Sequence, residues 1–388
     1  MKRSLRVAIL GAGGIIAPAI VHDLAESAEA AELVLLDLRS ERAAVVAELH
    51  GGGKACAMAA DARTGLAATL DGVDVLVNSA SYRVNLDAMR ACLKAGCHYV
   101  DLGGLYHLTG EQLELHDEFR EAGLLALLGM GSSPGKTNVM AVRAVRELGE
   151  TPERVDVWAG GRDLDPPDGP SYPYAPRTLV DELTMAPMAA RDGEAVELEA
   201  LQDGGSFDFP DPIGEGETIY TLHSEVRTFP ESFGCTECSF RLSLAPPVLE
   251  RVRGLIGASD EEIEAAARAA VPSSPSTVSI HAVEASTAGG DAVRVTAITR
   301  GMEAWGLGGG IVSTAAPAAA AVRLLARGEI EARGALPPER CIDPDALFGE
   351  LERRNCSFDV QSGDSRRAGS PPPNSDRGAG GPAEVTTR

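Results

Sequence analysis

LRVAILGAGGII (Leu5–Ile16) decides the fold class: an apolar run with strand character enters a glycine turn and leaves it as a helix. Gly11 permits the tight turn and Gly13 lets the backbone come close to a pyrophosphate. The following helix N-terminus offers free N–H groups and a positive dipole to phosphate. Gly14, Ile15 and Ile16 complete this candidate cofactor loop. Ile16 stands where a third glycine or alanine is usual, a position that serves helix–strand packing more than phosphate contact. Pro18 fits a first helical turn, where its missing N–H costs nothing.

Outward from this turn the pattern repeats. Glu32–Leu38, Lys54–Asp61, Val73–Ala80, His98–Gly104 and Leu124–Gly131 read as strands. Helices are expected over Gly14–Ser27, Ser40–His50, Asn85–Gly96 and Thr109–Ala122 between them. Such alternation predicts an α/β fold, a Rossmann doubly wound parallel sheet over residues 1–131. Asp37 ends the second strand about 20 residues beyond the glycine turn, where a carboxylate accepts hydrogen bonds from the ribose hydroxyls of NAD and repels the extra phosphate of NADP. Arg39 could instead reach that phosphate, so NAD is the expected cofactor and NADP the alternative. Asp61 would border the adenine, and Ser79, Ala80 and Ser81 would lie near the nicotinamide ribose.

After Gly131 the rhythm becomes mixed, which predicts a mixed α/β substrate domain over 132–312. It includes a Pro- and Tyr-rich loop (Pro166–Pro176) and β-rich stretches at Ala195–Leu201, Thr218–Leu222, Cys238–Leu244 and Ala292–Arg300. Helices are expected over Asn138–Leu148, Pro247–Ile256 and Asp260–Val271, then over Ala316–Arg327 with Ser313 or Thr314 as N-cap. Residues 313–358 should pack back on the first domain. From Ser362 the Gly, Pro, Ser and Arg composition predicts a tail, 362–388, that buries no core.

The composition narrows the function. A net charge of −22 over 388 residues opposes nucleic acid as a partner. The first apolar run is about a third of a membrane span and meets glycines rather than a cleavage site, so no membrane partner and a cytoplasmic location are expected. Seven cysteines without a regular framework suggest reduced thiols.

YVDLGGLYHLT (Tyr99–Thr109) and LLGMGSSPGKTNVMA (Leu127–Ala141) resemble the saccharopine dehydrogenase-like family, and within it the lysine 6-dehydrogenases. YPYAPRTLVDE (Tyr172–Glu182), YTLHSEVRTFPESF (Tyr220–Phe233) and GALPPERCIDP (Gly334–Pro344) agree. The resemblance implies a cleft between two domains, a small amine or amino-acid substrate, a homo-oligomer (a dimer), and NAD(P)-linked oxidation at a carbon bearing nitrogen. Ser133, a small hydroxyl residue before Pro-Gly, is what favours lysine over secondary amines such as saccharopine or carboxynorspermidine. Lys136 and the glycines of AWGLGGGIVS (Ala304–Ser313) depart from the family pattern.

Hydride removal from an amine carbon requires the neutral amine, which at pH 7 costs roughly 4–5 kcal/mol for a free pKa near 10.4. His223 and Glu225, on one face if their segment is a strand, are the candidate base and amine partner. Tyr174 could close over substrate or simply pack. His107 follows the fifth strand, where crevice ligands sit, or caps the next helix. Arg177, Arg241 and Lys136 could hold an α-carboxylate. No metal is expected: His223–Glu225 before Cys235 and Cys238 lacks a zinc deaminase's proline and spacing. The rival readings are a secondary-amine dehydrogenase of the saccharopine or carboxynorspermidine type and a silent dinucleotide-binding protein.

Overall fold

The computed structural model describes residues 4–364. Its first part comprises β1 (Leu5–Leu10), α1 (Ala17–Ala25), β2 (Ala30–Asp37), α2 (Ser40–His50), β3 (Ala55–Ala59), α3 (Leu66–Thr69), β4 (Val75–Asn78), α4 (Asn85–Ala95), β5 (His98–Asp101), α5 (Leu105–Leu113), α6 (His116–Glu121) and β6 (Leu125–Leu127). The Val, Ile, Leu and Ala residues of β1, β2 and β4 are nearly all buried because helices cover both faces of a parallel sheet. Strand order is β15–β6–β5–β4–β1–β2–β3, where β15 (Gly334–Leu336) returns from the C-terminal region as a seventh parallel strand. The order reverses between β1 and β4, the place where open α/β sheets take their ligands.

The second part contains α7 (Lys136–Leu148), β7 (Arg154–Asp163), α8 (Pro176–Thr184), β8 (Met188–Arg191), β9 (Glu194–Glu197), β10 (Asp203–Phe209), β11 (Gly214–Tyr220), α9 (Glu225–Phe233), β12 (Glu237–Ser243), α10 (Pro246–Arg253), α11 (Asp260–Ala269), β13 (Thr277–Ser286) and β14 (Asp291–Arg300). After α12 (Gly309–Arg327) and β15 come α13 (Pro344–Glu352) and β16 (Cys356–Asp364). The mixed sheet runs β10–β11–β12–β7–β13–β14–β16, with β8 and β9 appended through β12. Both sheets thus take a strand from the last hundred residues, which ties the C-terminal region to each part.

Several expectations change. The first helix begins at Ala17 rather than Gly14, because Gly13–Ile16 form the turn itself. The helix expected over Thr109–Ala122 is two, broken at Leu113–His116, and α5 already starts at Leu105. Strand β13, unforeseen, is central to the second sheet. Helix α12 starts at Gly309 with Gly308 as its N-cap, so Ser313 and Thr314 are helix interior. The glycines explain the early start: a Cβ on Gly308 would lie 2.0 Å from Thr277 Oγ1, and one on Gly309 would lie 2.4 Å from the Thr299 carbonyl. Only bare backbone lets α12 begin so close to β13 and β14. This helix is also long and apolar enough to cross a membrane, yet 78% of its apolar window is buried inside the protein, as in a core helix. Ser362 belongs to β16, paired with Val293, so the tail does not begin there; residues 365–388 lie outside those described.

Candidate active site

The glycine turn has the shape a pyrophosphate requires. Gly11 adopts φ +76°, and a Cβ there would lie 2.6 Å from the Ala80 backbone, so the turn and the end of β4 meet only because Gly11 is bare. Gly14 N–H closes the turn on Gly11 O at 2.9 Å. The amides of Ile15 and Ile16 find no acceptor among the described residues, and the exposed Ile15 side chain leaves the approach open. Asp37 accepts from Gly13 N–H and Arg39 N–H, both at 2.9 Å, so its carboxylate is fixed beside the turn. Ser79 Oγ donates to Leu10 O at 2.9 Å and joins β4 to β1 at the switch point. Ser81 accepts from Arg83 N–H and caps a short turn, Tyr82–Val84. Asp61 accepts from Arg63 N–H and shapes the turn after β3. These residues fit a dinucleotide, which when bound would supply or accept hydride.

Beyond β6, the loop Gly129–Gly135 crosses to the second sheet. Fully buried Asp101 holds its base: Asp101 Oδ1 accepts from Gly129 N–H at 2.6 Å and Gly103 N–H at 3.0 Å, and Oδ2 accepts from Gln112 Nε2 at 2.6 Å. Burial raises the Asp101 pKa against these hydrogen bonds. Gly103 and Gly129 in turn accommodate the Pro134 ring, and their added Cβ atoms would lie within 2.9 and 2.6 Å of it. Ser133 is thereby presented to His281 of β13, with Oγ and Nε2 3.4 Å apart. Burial first, then Lys136 and His223, push the His281 pKa well below its ordinary value.

His223 and Glu225 do come together, but not on a strand. Thr221–His223 is irregular, Ser224 is a bend and Glu225 opens α9. His223 Nδ1 lies 3.4 Å from Glu225 Oε2, and its ring stacks on Phe240 at 3.4 Å between centroids and 10° between planes. Glu225 Oε1 accepts from Thr137 Oγ1 at 2.8 Å, a tie to the N-terminus of α7. On the other side of the imidazole, Nε2 lies 3.9 Å from Glu182 Oε2. Glu182 also accepts a short hydrogen bond from the Tyr174 hydroxyl. Tyr174 therefore packs into the cluster instead of hanging free over the cleft.

The electrostatics favour protons here. Burial raises the Glu182 pKa, against the opposing influence of His223 and Tyr174. For His223 burial pulls downward, yet the contact with Glu225 and the charges of Glu225 and Glu182 outweigh it and the shift is upward. Burial and the Glu182 charge push the Tyr174 hydroxyl well up. His223 Nδ1 and Glu225 Oε2 are buried and face each other as an ion pair at 3.4 Å, and His281 Nδ1 is buried without a hydrogen bond among the described residues.

The three expected carboxylate anchors each have partners within the chain. Arg241 lies next to Phe240 on β12, so it projects from the opposite face of the sheet; there it pairs with Asp156 and covers Trp158 and Tyr220. Arg177 on α8 pairs with Asp181 at 3.0 Å and with Asp260 of α11. Lys136 is fully buried; its Nζ donates to Thr299 Oγ1 at 3.0 Å and Ser313 Oγ at 2.7 Å, and burial lowers its pKa. His107 is exposed on α5 beside a groove of about 670 Å³ shared with α9, outside the cluster. Glu182 and His281 were not foreseen as site residues. Glu182 was visible in Tyr172–Glu182, but His281 gave no signal because its strand was missed.

Residues 7–127 match the family profile described as the saccharopine dehydrogenase NADP binding domain. Carboxyaminopropylagmatine dehydrogenase of Synechocystis sp. is 26% identical over 239 residues, 58% of either chain. Carboxynorspermidine synthase of Vibrio alginolyticus is 28% identical over 171 residues, 41% of this chain and 40% of that one. The chain thus spans about half the length of the curated relatives it matches. Apo saccharopine dehydrogenase (L-Glu forming) from Saccharomyces cerevisiae superposes with a TM-score of 0.69 at 15% identity, covering 92% of this chain and all of that one, which shows a common fold. These relatives are named for carboxyaminopropylagmatine and carboxynorspermidine, not for lysine, in contrast to the narrower likeness to lysine 6-dehydrogenases drawn from the sequence stretches and Ser133. The part of this chain that carries the glycine turn, residues 7–127, is thus similar to the NADP binding domain of saccharopine dehydrogenases.

Proposed function

We propose that this protein is a nicotinamide-dependent oxidoreductase that forms a secondary amine by reductive condensation of a primary amine with a carbonyl compound. The observation that carries this reading is the proton-holding cluster Tyr174–Glu182–His223–Glu225. In such a condensation the amine nitrogen adds to the carbonyl carbon, and the resulting carbinolamine must lose its oxygen as water. That loss needs an acid near neutral pH, and Glu182 and His223 are both shifted toward holding a proton. The iminium then takes a hydride, so amine, carbonyl, reduced cofactor and one proton yield secondary amine, water and oxidised cofactor. The named relatives, a carboxynorspermidine synthase and a carboxyaminopropylagmatine dehydrogenase, agree with secondary-amine chemistry.

The deciding assay follows absorbance at 340 nm. Loss of NAD(P)H with a diamine and a carbonyl compound together, but with neither alone, is the expected result. A rise with lysine and oxidised cofactor only would return the reading to primary-amine oxidation. Cofactor binding with silence across lysine, ornithine, diaminobutyrate, saccharopine and carboxynorspermidine would mean a dinucleotide-binding protein without this chemistry.

Asp37 further supports NAD over NADP in this proposal, since its fixed carboxylate would face a 2′-phosphate. Asp37→Ala should lower the NAD/NADP ratio of kcat/KM by about tenfold or more, with Arg39 then free to serve the phosphate. An unchanged ratio would remove Asp37 as the discriminator.

A further inference from the structure

One contact between the two parts of the chain runs through a single carboxylate. Asp181, almost wholly buried on α8, accepts from the Tyr82 hydroxyl at 2.7 Å and from Arg83 Nη2 at 2.9 Å. Its other oxygen pairs with Arg177 of its own helix at 3.0 Å. Tyr82 and Arg83 form the turn directly after Ser79–Ser81, the segment that closes β4 beside the glycine turn. The turn has little freedom. Ser81 caps its start, and at its end Asn85 accepts from Asn78 Nδ2 at 2.9 Å and donates to Asp101 at 3.1 Å. On the α8 side the next residue is Glu182, which meets Tyr174 and His223 and whose carbonyl accepts from Leu222 N–H at 3.3 Å. A displacement of α8 away from the β4 turn therefore carries Glu182 with it.

We propose that Asp181 is a positioning residue, a latch that joins α8 to the turn after β4 so that the cleft closes over the dinucleotide and Glu182 reaches His223 in the same movement. What the closed site then catalyses rests on the function proposed above; the closure itself does not. A buried carboxylate with a phenol and two guanidinium donors is held strongly in the closed arrangement, and loses those bonds together when the domains part. The arrangement links cofactor retention to assembly of the acid cluster, which keeps water from the site until both are in place.

The test uses the full chain and NAD(P)H alone, with the off-rate read by nicotinamide fluorescence after a chase of oxidised cofactor. Asp181→Asn should speed release about tenfold, and Tyr82→Phe, which removes only a hydroxyl from a half-buried ring, by several-fold. The double variant should be no faster than Asp181→Asn, because both changes break one contact, and Asp181→Glu should restore part of the loss. An off-rate within twofold of wild type in both single variants, or fully additive effects, would overturn the latch. Since no amine enters this measurement, its failure is separate from failure of the proposed reaction.

Discussion

Replacing His223 with glutamine should lower kcat/KM at pH 7 by roughly two to three orders of magnitude, the usual contribution of a positioned general acid or base. Affinity for NAD(P)H should stay within about twofold, because the bonds of Asp181 to Tyr82 and Arg83 do not involve His223 and remain in the variant. The pH dependence carries the sharper test. His223 and Glu182 are both raised, so the acid form persists into the neutral range and is lost as pH climbs through the cluster's apparent pKa values. The wild-type condensation rate should therefore fall on the alkaline side. His223, Glu182 and Glu225 titrate as one coupled unit, so that limb belongs to the cluster and not to a single residue. Glu182→Gln preserves a partner for the Tyr174 hydroxyl but removes one charge that raises His223, so the limb should move to lower pH. A His223→Gln enzyme that keeps the wild-type alkaline limb and most of its rate would show that the acid lies elsewhere.

The first domain was legible because two local signals coincide there: glycines at fixed offsets and apolar runs of strand length. Gly11 and Asp37 each have a steric or hydrogen-bonding reason visible in a short window, and their geometry follows it. The second domain was less legible because its sheet is built from distant segments. Strand β13 sits between β7 and β14, over a hundred residues from the former, and its sequence TVSIHAVEAS alternates too weakly to announce a central strand. With β13 unseen, His281 had no place, and the face of β12 could not be fixed. One residue of register separates Phe240, under the His223 ring, from Arg241, on the far side. Sequence neighbours such as His223 and Glu225 were found as a pair, although a helix start, not a strand, brings them together. Glu182 and Lys136 acquire their character from burial and from partners remote in sequence, which no local window contains.

Arg323→Ala should cost about 3 kcal/mol or more of stability, the scale for removing one partner from a buried ion pair. Arg323 on α12 is almost wholly buried between two carboxylates: Nε donates to Glu350 Oε2 at 2.7 Å and Nη1 to Asp23 Oδ1 at 2.9 Å. It thereby ties α13 and α1 to α12, an alanine-rich helix packed against both. Arg354 also donates to Asp23 at 2.7 Å, and Arg327 to Glu350, so the acids are not left bare in the variant. That redundancy places the expected cost at the lower end of the range. The pH dependence separates charge from packing. Against its desolvation, Arg323 and its neighbours hold the Glu350 pKa down at about 2. A depressed carboxylate contributes stability that is fully present above its unfolded pKa near 4.5 and is lost as pH falls through about 2. The difference between wild type and Arg323→Ala in urea unfolding should thus be largest at neutral pH and shrink as pH drops from 4.5 toward 2. Loss of side-chain packing alone would leave that difference constant with pH, and a constant difference would show that α12 holds α1 and α13 by shape and not by charge.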